Sequence, residues 1–595
     1  MTARSTILKL LCAAALACAP APVSAQQAAD AVSPEVATAL AAKRASQPVE
    51  AKDWMIVAAN PLAAKAGADV LRRGGSAADA AIAAQLVLGL VEPQSSGLGG
   101  GAFVVWYDAA SGQVTTLDGR ETAPAGAKPT RFLGSDGEPL KFFDAVVGPL
   151  SVGVPGTPRL LMEMHQRYGK VDLDGLFDPA IGLAENGFTV SPRLAALVEG
   201  DKDRLSRFPA TKAYFLPGGR PIQAGDTLKN PAYAATLRTL ASEWGESFYG
   251  GEIGASILAA LEDAAKISGS GPATMTKADL ANYRVVEREA VCAPYRGHDV
   301  CGMGPPSSGA LTIGQILGIA SATDLAALGP DSPEAWRVIG DASRLAFADR
   351  GLYMADSDYV PMPTKGLLAP DYLKARAQLL TEGRALPKEA VVPGEPAWDH
   401  ASLPLAPDES LELPSTSHIS VVDAEGNALS MTTTIENGFG SRIMAGGFLL
   451  NNELTDFSFR THRDGRPIAN RVEPGKRPRS SMSPTIVLRD GKPVLVVGSP
   501  GGSRIIGYVA QALVNVIDWK MDVQAAVSAG HLVNRFGTYD VEEGTDAEKL
   551  AEPLRALGYE VKVRGLNSGL HAIAVTPDGL RGGADPRREG VALGE

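Results

Sequence analysis

A mixed α/β fold is what this 595-residue sequence predicts, and three observations predict it. Residues from about 150 to 390 alternate helical windows with Gly/Pro turns. After about 416 the pattern changes to paired strands, and a proline-rich, acidic stretch at 385–415 separates the two regions. With 45% hydrophobic residues the chain can bury large cores. Its formal charge of −11 disfavours nucleic acid or an anionic membrane as partner, because both attract basic surfaces, and leaves small solutes as the expected ligands.

In chain order, the first 25 residues read as an export signal. Arg4 and Lys9 precede an apolar stretch at 10–19, and Val23-Ser24-Ala25 supplies a small-residue cleavage site, so a periplasmic or secreted protein is expected. No later apolar run approaches the roughly 20 residues that span a bilayer. Residues 54–59 read as a buried strand; Pro61 starts a helix that Gly74-Gly75 ends, and Ser76 caps a second helix over 77–90, giving an αα-hairpin. The glycine-rich run at 95–101 leads into a strand at 102–107. Glycines placed before a strand, instead of between a strand and a helix, exclude a dinucleotide site.

A helix is predicted at 333–350 with Ser332 as its cap. The segment 385–415 has no periodicity and reads as an exposed tether. Strand pairs follow at 418–423 and 427–435 around Ala424-Glu425-Gly426, and at 484–489 and 493–498 around Asp490-Gly491; a helix over 503–519 carries Ile505, Val509, Leu513, Val516 and Ile517 on one face. Cys292 and Cys301 flank Tyr295-Arg296-Gly297-His298. If Arg296-Gly297 is a two-residue turn, the cysteines fall opposite one another in a non-hydrogen-bonded pair, either as a disulfide or as two buried thiols. The seven histidines show no ligand spacing, so no metal and no cofactor are expected.

The segment Leu413-Pro414-Ser415-Thr416-Ser417-His418 places hydroxyls beside a proline, just before an alternating run. A threonine hydroxyl hardly ionises at neutral pH. It becomes a usable nucleophile when it heads a chain, because its own α-amine, with a pKa of roughly 8, can act as the base. That requires a cut between Ser415 and Thr416. Gly501 and Gly502, between a buried strand and an amphipathic helix, can offer backbone N–H groups and a helix dipole to an oxyanion. Ser480 and Ser481 add hydroxyl donors in a proline-bounded loop.

Further ordered segments accompany these: Asn60-Pro61-Leu62-Ala63, Gly74-Gly75-Ser76-Ala77-Ala78-Asp79-Ala80, Glu92-Pro93-Gln94-Ser95-Ser96-Gly97, Gly153-Val154-Pro155-Gly156, Pro305-Pro306-Ser307-Ser308-Gly309 and Asp585-Pro586-Arg587. With them the sequence resembles the γ-glutamyltransferase (glutathione hydrolase) family of N-terminal-nucleophile hydrolases over nearly the whole mature chain. The resemblance implies a four-layer αββα sandwich. It implies autocleavage into a large subunit, 26–415, and a small one, 416–595, which stay together as a heterodimer. Thr416 is then the nucleophile, Thr434 its support, and Gly501 and Gly502 the oxyanion donors. Arg120, in Asp118-Gly119-Arg120-Glu121, is implied to grip a substrate α-carboxylate with Ser480 and Ser481, while Glu453 and Asp456 hold the α-ammonium. Glu436 departs from the asparagine of many relatives and adds a third acidic group. The loop 457–476 differs from lid-bearing relatives, so an open cleft is expected.

The implied function is hydrolysis of glutathione and other γ-glutamyl amides, or transfer of the γ-glutamyl group to amino acids and peptides, through an ester on Thr416. Two other readings are an acylase for glutaryl- or cephalosporin-type groups, whose donor lacks the α-ammonium, and an uncut binding protein without turnover.

Overall fold

Successive side chains of a strand point to opposite faces, so a strand buried on both sides must feed two cores. Met55–Ala58 is such a strand. Met55 and Val57 join Val105, Val422, Ile486, Val496 and Ile573 in one apolar layer. Ile56 and Ala58 join Val104, Trp106, Ile419 and Met431 in another, shared with helices. The first layer is the space between two sheets, and the second lies under the helices that cover one of them.

In this computed structural model, which describes residues 33–243, 245–269, 273–398, 402–408, 410 and 415–595, each sheet has seven strands. One runs Val591–Gly594, Met55–Ala58, Ser417–Val422, Ala428–Thr434, Gly101–Tyr107, Val114–Gly119 and Val286–Glu289; the other runs Val49–Ala51, Gly579–Ala584, His571–Thr576, Lys492–Gly498, Thr485–Arg489, His298–Gly302 and Val291–Tyr295. Neighbouring strands are antiparallel throughout both. Helices Pro61–Arg72, Ala77–Val91 and Thr157–Tyr168 pack on the outer face of the first. Gly309–Ala320, Pro333–Tyr353 and Ile505–Ile517 pack on the outer face of the second. The result is the expected αββα sandwich. The expected export signal lies outside the described residues.

Local chemistry explains the element boundaries. The side chain of Asn60 accepts from the N–H of Leu62, and Ser76 forms a capping box with Asp79, which fixes the starts of the first two long helices. Asp490 and Gly491, with φ of 52° and 74°, close the two-residue turn between Thr485–Arg489 and Lys492–Gly498. Arg296 and Gly297 do the same with φ of 49° and 76°, so Cys292 stands opposite Cys301 and the two are joined as a disulfide.

One expectation is corrected in part: 385–415 keeps exposed residues such as Val392 and Leu403, but its described part is docked on the body at several points. Leu386, Leu405 and Ala406 are buried. Asp349 accepts from the Gly394 N–H at 2.7 Å, and Asp408 pairs with buried Arg479 at 2.9 Å. A segment without regular structure still has to satisfy its backbone groups, and here side chains of the body do so. That contribution has no periodic trace in the sequence.

Candidate active site

Several distant stretches of chain meet at one small cleft of about 260 Å³. It is lined by Arg120, Thr416, Thr434, Glu436, Glu453, Asp456, Ser480, Ser481, Met482, Gly502 and Ile505. Every residue nominated from the sequence for catalysis or binding lines it except Gly501, which adjoins Gly502 of the lining. Met482 and Ile505 were not foreseen as site residues; Met482 follows Ser481, and Ile505 begins the helix three residues after Gly502.

Thr416 immediately precedes the central strand Ser417–Val422, whose Ser417 is paired with Thr433 of the neighbouring strand. That register brings the Thr416 and Thr434 hydroxyl oxygens to 3.1 Å. Thr434 Oγ1 also accepts the Glu436 N–H at 2.8 Å, which fixes its orientation. Gly100 makes room for this strand end, since a Cβ there would lie 1.9 Å from the Thr434 carbonyl oxygen. In the continuous chain the Ser415 carbonyl accepts a hydrogen bond from the Gly501 N–H at 3.3 Å. Gly501 and Gly502 have φ of 141° and 59°, conformations that suit glycine, and they lead through a short 3-10 turn into the N-terminus of Ile505–Ile517. Thr416 itself has φ of 104°. For a β-branched residue such a backbone costs on the order of 1–3 kcal/mol, held here by the surrounding strands.

The opposite wall is charged and buried. Glu453–Asp456 is a 3-10 turn, in which residues i and i+3 share a side. Both acids therefore face Arg120: Nη1 contacts Glu453, and Nη2 donates to Asp456 at 2.7 Å. Arg120 Nη2 also donates to the carbonyl of Arg479, and its Nε to that of Pro478. Glu436 accepts from the Asn452 side-chain amide. Met482 N–H donates to Ser480 Oγ at 3.1 Å, and Arg350 Nη2 donates to Ser481 Oγ at 2.7 Å. Arg350 is a buried residue of helix Pro333–Tyr353 whose link to the site the sequence did not reveal.

A fourth acid, Glu121, was quoted with the motif but given no role. It is fully buried, and neither of its carboxyl oxygens meets a hydrogen-bond donor among the described residues. Its carboxyl faces that of Glu453. A proton shared between the two would satisfy both, and burial pushes the Glu121 carboxyl up to about 8. Burial likewise holds the Glu436 and Glu453 carboxyls well above the usual carboxylate range, the first reinforced by Asp456 and the second opposed by Arg120. A carboxyl raised in the fold adds stability below its unfolded pKa and loses it as pH rises through the folded value. Glu121→Gln, neutral at every pH, is therefore expected to gain stability relative to wild type between pH 5 and 8, by up to about 1.4 kcal/mol per pH unit. Thermal unfolding of the two proteins across that range checks it, and a pH-independent difference would refute it.

The site thus sets two threonine hydroxyls and an N–H donor opposite one buried guanidinium among four carboxyl groups. A family model described as Gamma-glutamyltranspeptidase matches residues 63–595. The chain is 38% identical over 556 residues to the glutathione hydrolase proenzyme of Bacillus subtilis (strain 168), covering 91% of this chain and 92% of that one. It is 37% identical over 554 residues to that of Escherichia coli (strain K12), covering 91% of each. The crystal structure of a cephalosporin acylase from Bacillus halodurans matches with a TM-score of 0.79 at 27% identity, over 92% of this chain and 97% of that chain. The chain belongs to the gamma-glutamyltranspeptidase family.

Proposed function

We propose that this protein is made as a proenzyme, cuts itself between Ser415 and Thr416, and then hydrolyses glutathione and other γ-glutamyl amides or transfers their acyl group to amino acids and peptides. The observation that carries this reading is the Ser415 carbonyl held by the Gly501 N–H while the Thr416 hydroxyl lies 3.1 Å from that of Thr434. In the cut, Thr416 Oγ1 attacks the Ser415 carbonyl carbon, the peptide C–N bond breaks, and the Thr416 nitrogen takes up a proton and leaves as an amine. Water then hydrolyses the ester, giving a Ser415 carboxylate and a free hydroxyl on Thr416. The strained φ of Thr416 vanishes with that bond, because the angle is defined by the carbonyl carbon that departs.

In turnover the freed amine takes the Thr416 hydroxyl proton as oxygen attacks the γ-carbonyl, with the Gly501 and Gly502 N–H groups assigned to the oxyanion. The protonated amine then gives its proton to the leaving amine. Water or an acceptor amine attacks the ester in the second half, and the same base removes its proton. Arg120, Ser480 and Ser481 are assigned to the α-carboxylate, and Glu436, Glu453 and Asp456 to the α-ammonium. A zwitterionic head fits the mixed charge, because its ammonium can take the place of the Arg120 cation beside the carboxylates while Arg120 turns to the carboxylate.

Both pieces would stay assembled after the cut. Ser417–Val422, from the small piece, is hydrogen-bonded to Met55–Ala58 of the large one, and Ala428–Thr434 of the small piece to Gly101–Tyr107. Separation would break the middle of a sheet. An exported location is part of the proposal, and the Cys292–Cys301 disulfide supports it.

Sequencing the start of the smaller fragment of the purified protein tests the cut, which is expected at Thr416. Substrate class is tested with paired anilides: the γ-glutamyl anilide is expected to be hydrolysed at least about tenfold faster than the glutaryl anilide, because the latter leaves the acid cluster without an ammonium. The reverse preference would replace this reading with the acylase one.

A further inference from the structure

The carbonyl oxygen of Thr416 accepts a hydrogen bond from Arg588 Nη1 at 2.9 Å. Arg588 follows Asp585-Pro586-Arg587 near the end of the sequence, and its guanidinium is locked in place: Nε donates to the Ser568 carbonyl at 3.1 Å and Nη2 to that of Asn567 at 3.4 Å. The backbone of Gly569 packs so closely on it that a Cβ there would lie 2.7 Å from Arg588 Cδ. All its hydrogen bonds among the described residues go to neutral carbonyls, and it forms no ion pair there. It is a buried cation whose charge is not cancelled by contact.

We propose that Arg588 is a positioning residue that anchors the nucleophile through its carbonyl and keeps the amine freed by cleavage in its uncharged, proton-accepting form. The inference rests on Thr416 being the N-terminal nucleophile. The amine and carbonyl of one residue lie close together, so a guanidinium bonded to the carbonyl stands near any ammonium that forms. Like charge there disfavours protonation of the amine. A base that must accept a proton at neutral pH works best when it is not already protonated.

The other charges around Thr416 decide whether this cation prevails. Glu92, at the end of helix Ala77–Val91, accepts from Ser417 Oγ at 3.2 Å and is paired with Arg193 at 3.2 Å, so that pair is close to neutral. His571, whose Nδ1 lies 2.9 Å from the His418 carbonyl, is kept uncharged, since burial pushes it down to about 3. Asp585, three residues before Arg588, pairs with Arg587 at 3.0 Å. Tyr508, beside Gly501, is held above its usual range by burial and stays neutral. Across the cleft Arg120 is matched by Glu453 and Asp456, and burial favours the protonated form of Glu436. Burial holds Arg588 low, at about 10, which still leaves it charged at neutral pH. Among these groups Arg588 is the cation that bonds Thr416 itself and has no ion pair among the described residues.

The readout is the acid limb of kcat/KM against pH for γ-glutamyl anilide hydrolysis, measured on matured protein. In R588M the limb is expected to move up by about one pH unit, so that activity at pH 6 relative to pH 9 falls about tenfold. R588K should restore most of it. Glu92→Gln removes an anion from the same neighbourhood and should move the limb down. A loss of packing alone lowers activity equally across the range and cannot give opposite shifts. If R588M fails to mature, the sign in Glu92→Gln decides, with the R588K limb expected to stay near that of wild type. An acid limb that stays within about 0.2 units of wild type in R588M or in Glu92→Gln, or that moves the same way in both, overturns the proposal. Wild-type protein that is uncut, or cut elsewhere than before Thr416, would instead refute the parent reading.

Discussion

The Thr416→Ala protein is expected to remain one continuous chain and to hydrolyse γ-glutamyl anilide at least about 10⁴-fold more slowly than wild type. Both losses have one cause. The Thr416 oxygen is the atom assigned to attack the Ser415 carbonyl in the cut and the γ-carbonyl in turnover, and no other hydroxyl combines its position with an amine that cleavage can free. Thr434 is 3.1 Å away but lies at the end of a strand, with its Oγ1 engaged by the Glu436 N–H. The fold should survive, because the strand Ser417–Val422 keeps both its neighbours. Thr416→Ser is the informative partner variant: it keeps the oxygen and should still mature and turn over. A denaturing gel and an anilide assay on the three proteins check the result. An alanine variant that still splits before residue 416, or that retains more than about 1% of wild-type turnover, would remove Thr416 from its role.

Much of this arrangement was legible in the sequence where local chemistry specifies it. Asp490-Gly491 and Arg296-Gly297 demand positive φ at both turn residues, so the hairpins and the Cys292–Cys301 pairing followed from a few residues each. Ser76 and Pro61 announced the helix starts. The αββα order was not readable from periodicity, because strands buried on both faces lose the polar/apolar alternation, and the resemblance supplied it. Arg120, Glu453 and Asp456 were found through motif, but their mutual contact was not foreseen. Arg120 was nominated for one end of the substrate and the two acids for the other, and in the structure they satisfy one another. Arg588 shows the limit most clearly: the residue it holds is 172 positions away, and nothing in the adjoining sequence says which carbonyl its guanidinium meets.

That internal pairing makes Arg120→Met the second variant with a large expected effect, on stability as well as activity. Arg120 and Glu453 are each about 1% exposed, so removing the cation leaves buried carboxylates without their partner. Breaking a buried pair from one side costs roughly 3–5 kcal/mol, more than the pair itself contributes, because the remaining charge stays desolvated. The carboxyls can escape by binding protons. Losing Arg120 raises their folded pKa further, and stability gained from such groups is present at low pH and lost as pH rises. The variant is therefore expected to be less stable than wild type at pH 8 and to recover part of the difference at pH 5. In catalysis it should lose about 10²- to 10³-fold in kcat/KM for γ-glutamyl donors, with the α-carboxylate no longer gripped by a two-pronged fork. Arg120→Lys keeps a charge but not the fork, so it should regain stability more than activity. Thermal unfolding at the two pH values, with anilide kinetics on the matured fraction, separates these effects. Equal destabilisation at pH 5 and 8 would mean that the acids around Arg120 are not the groups its charge restrains.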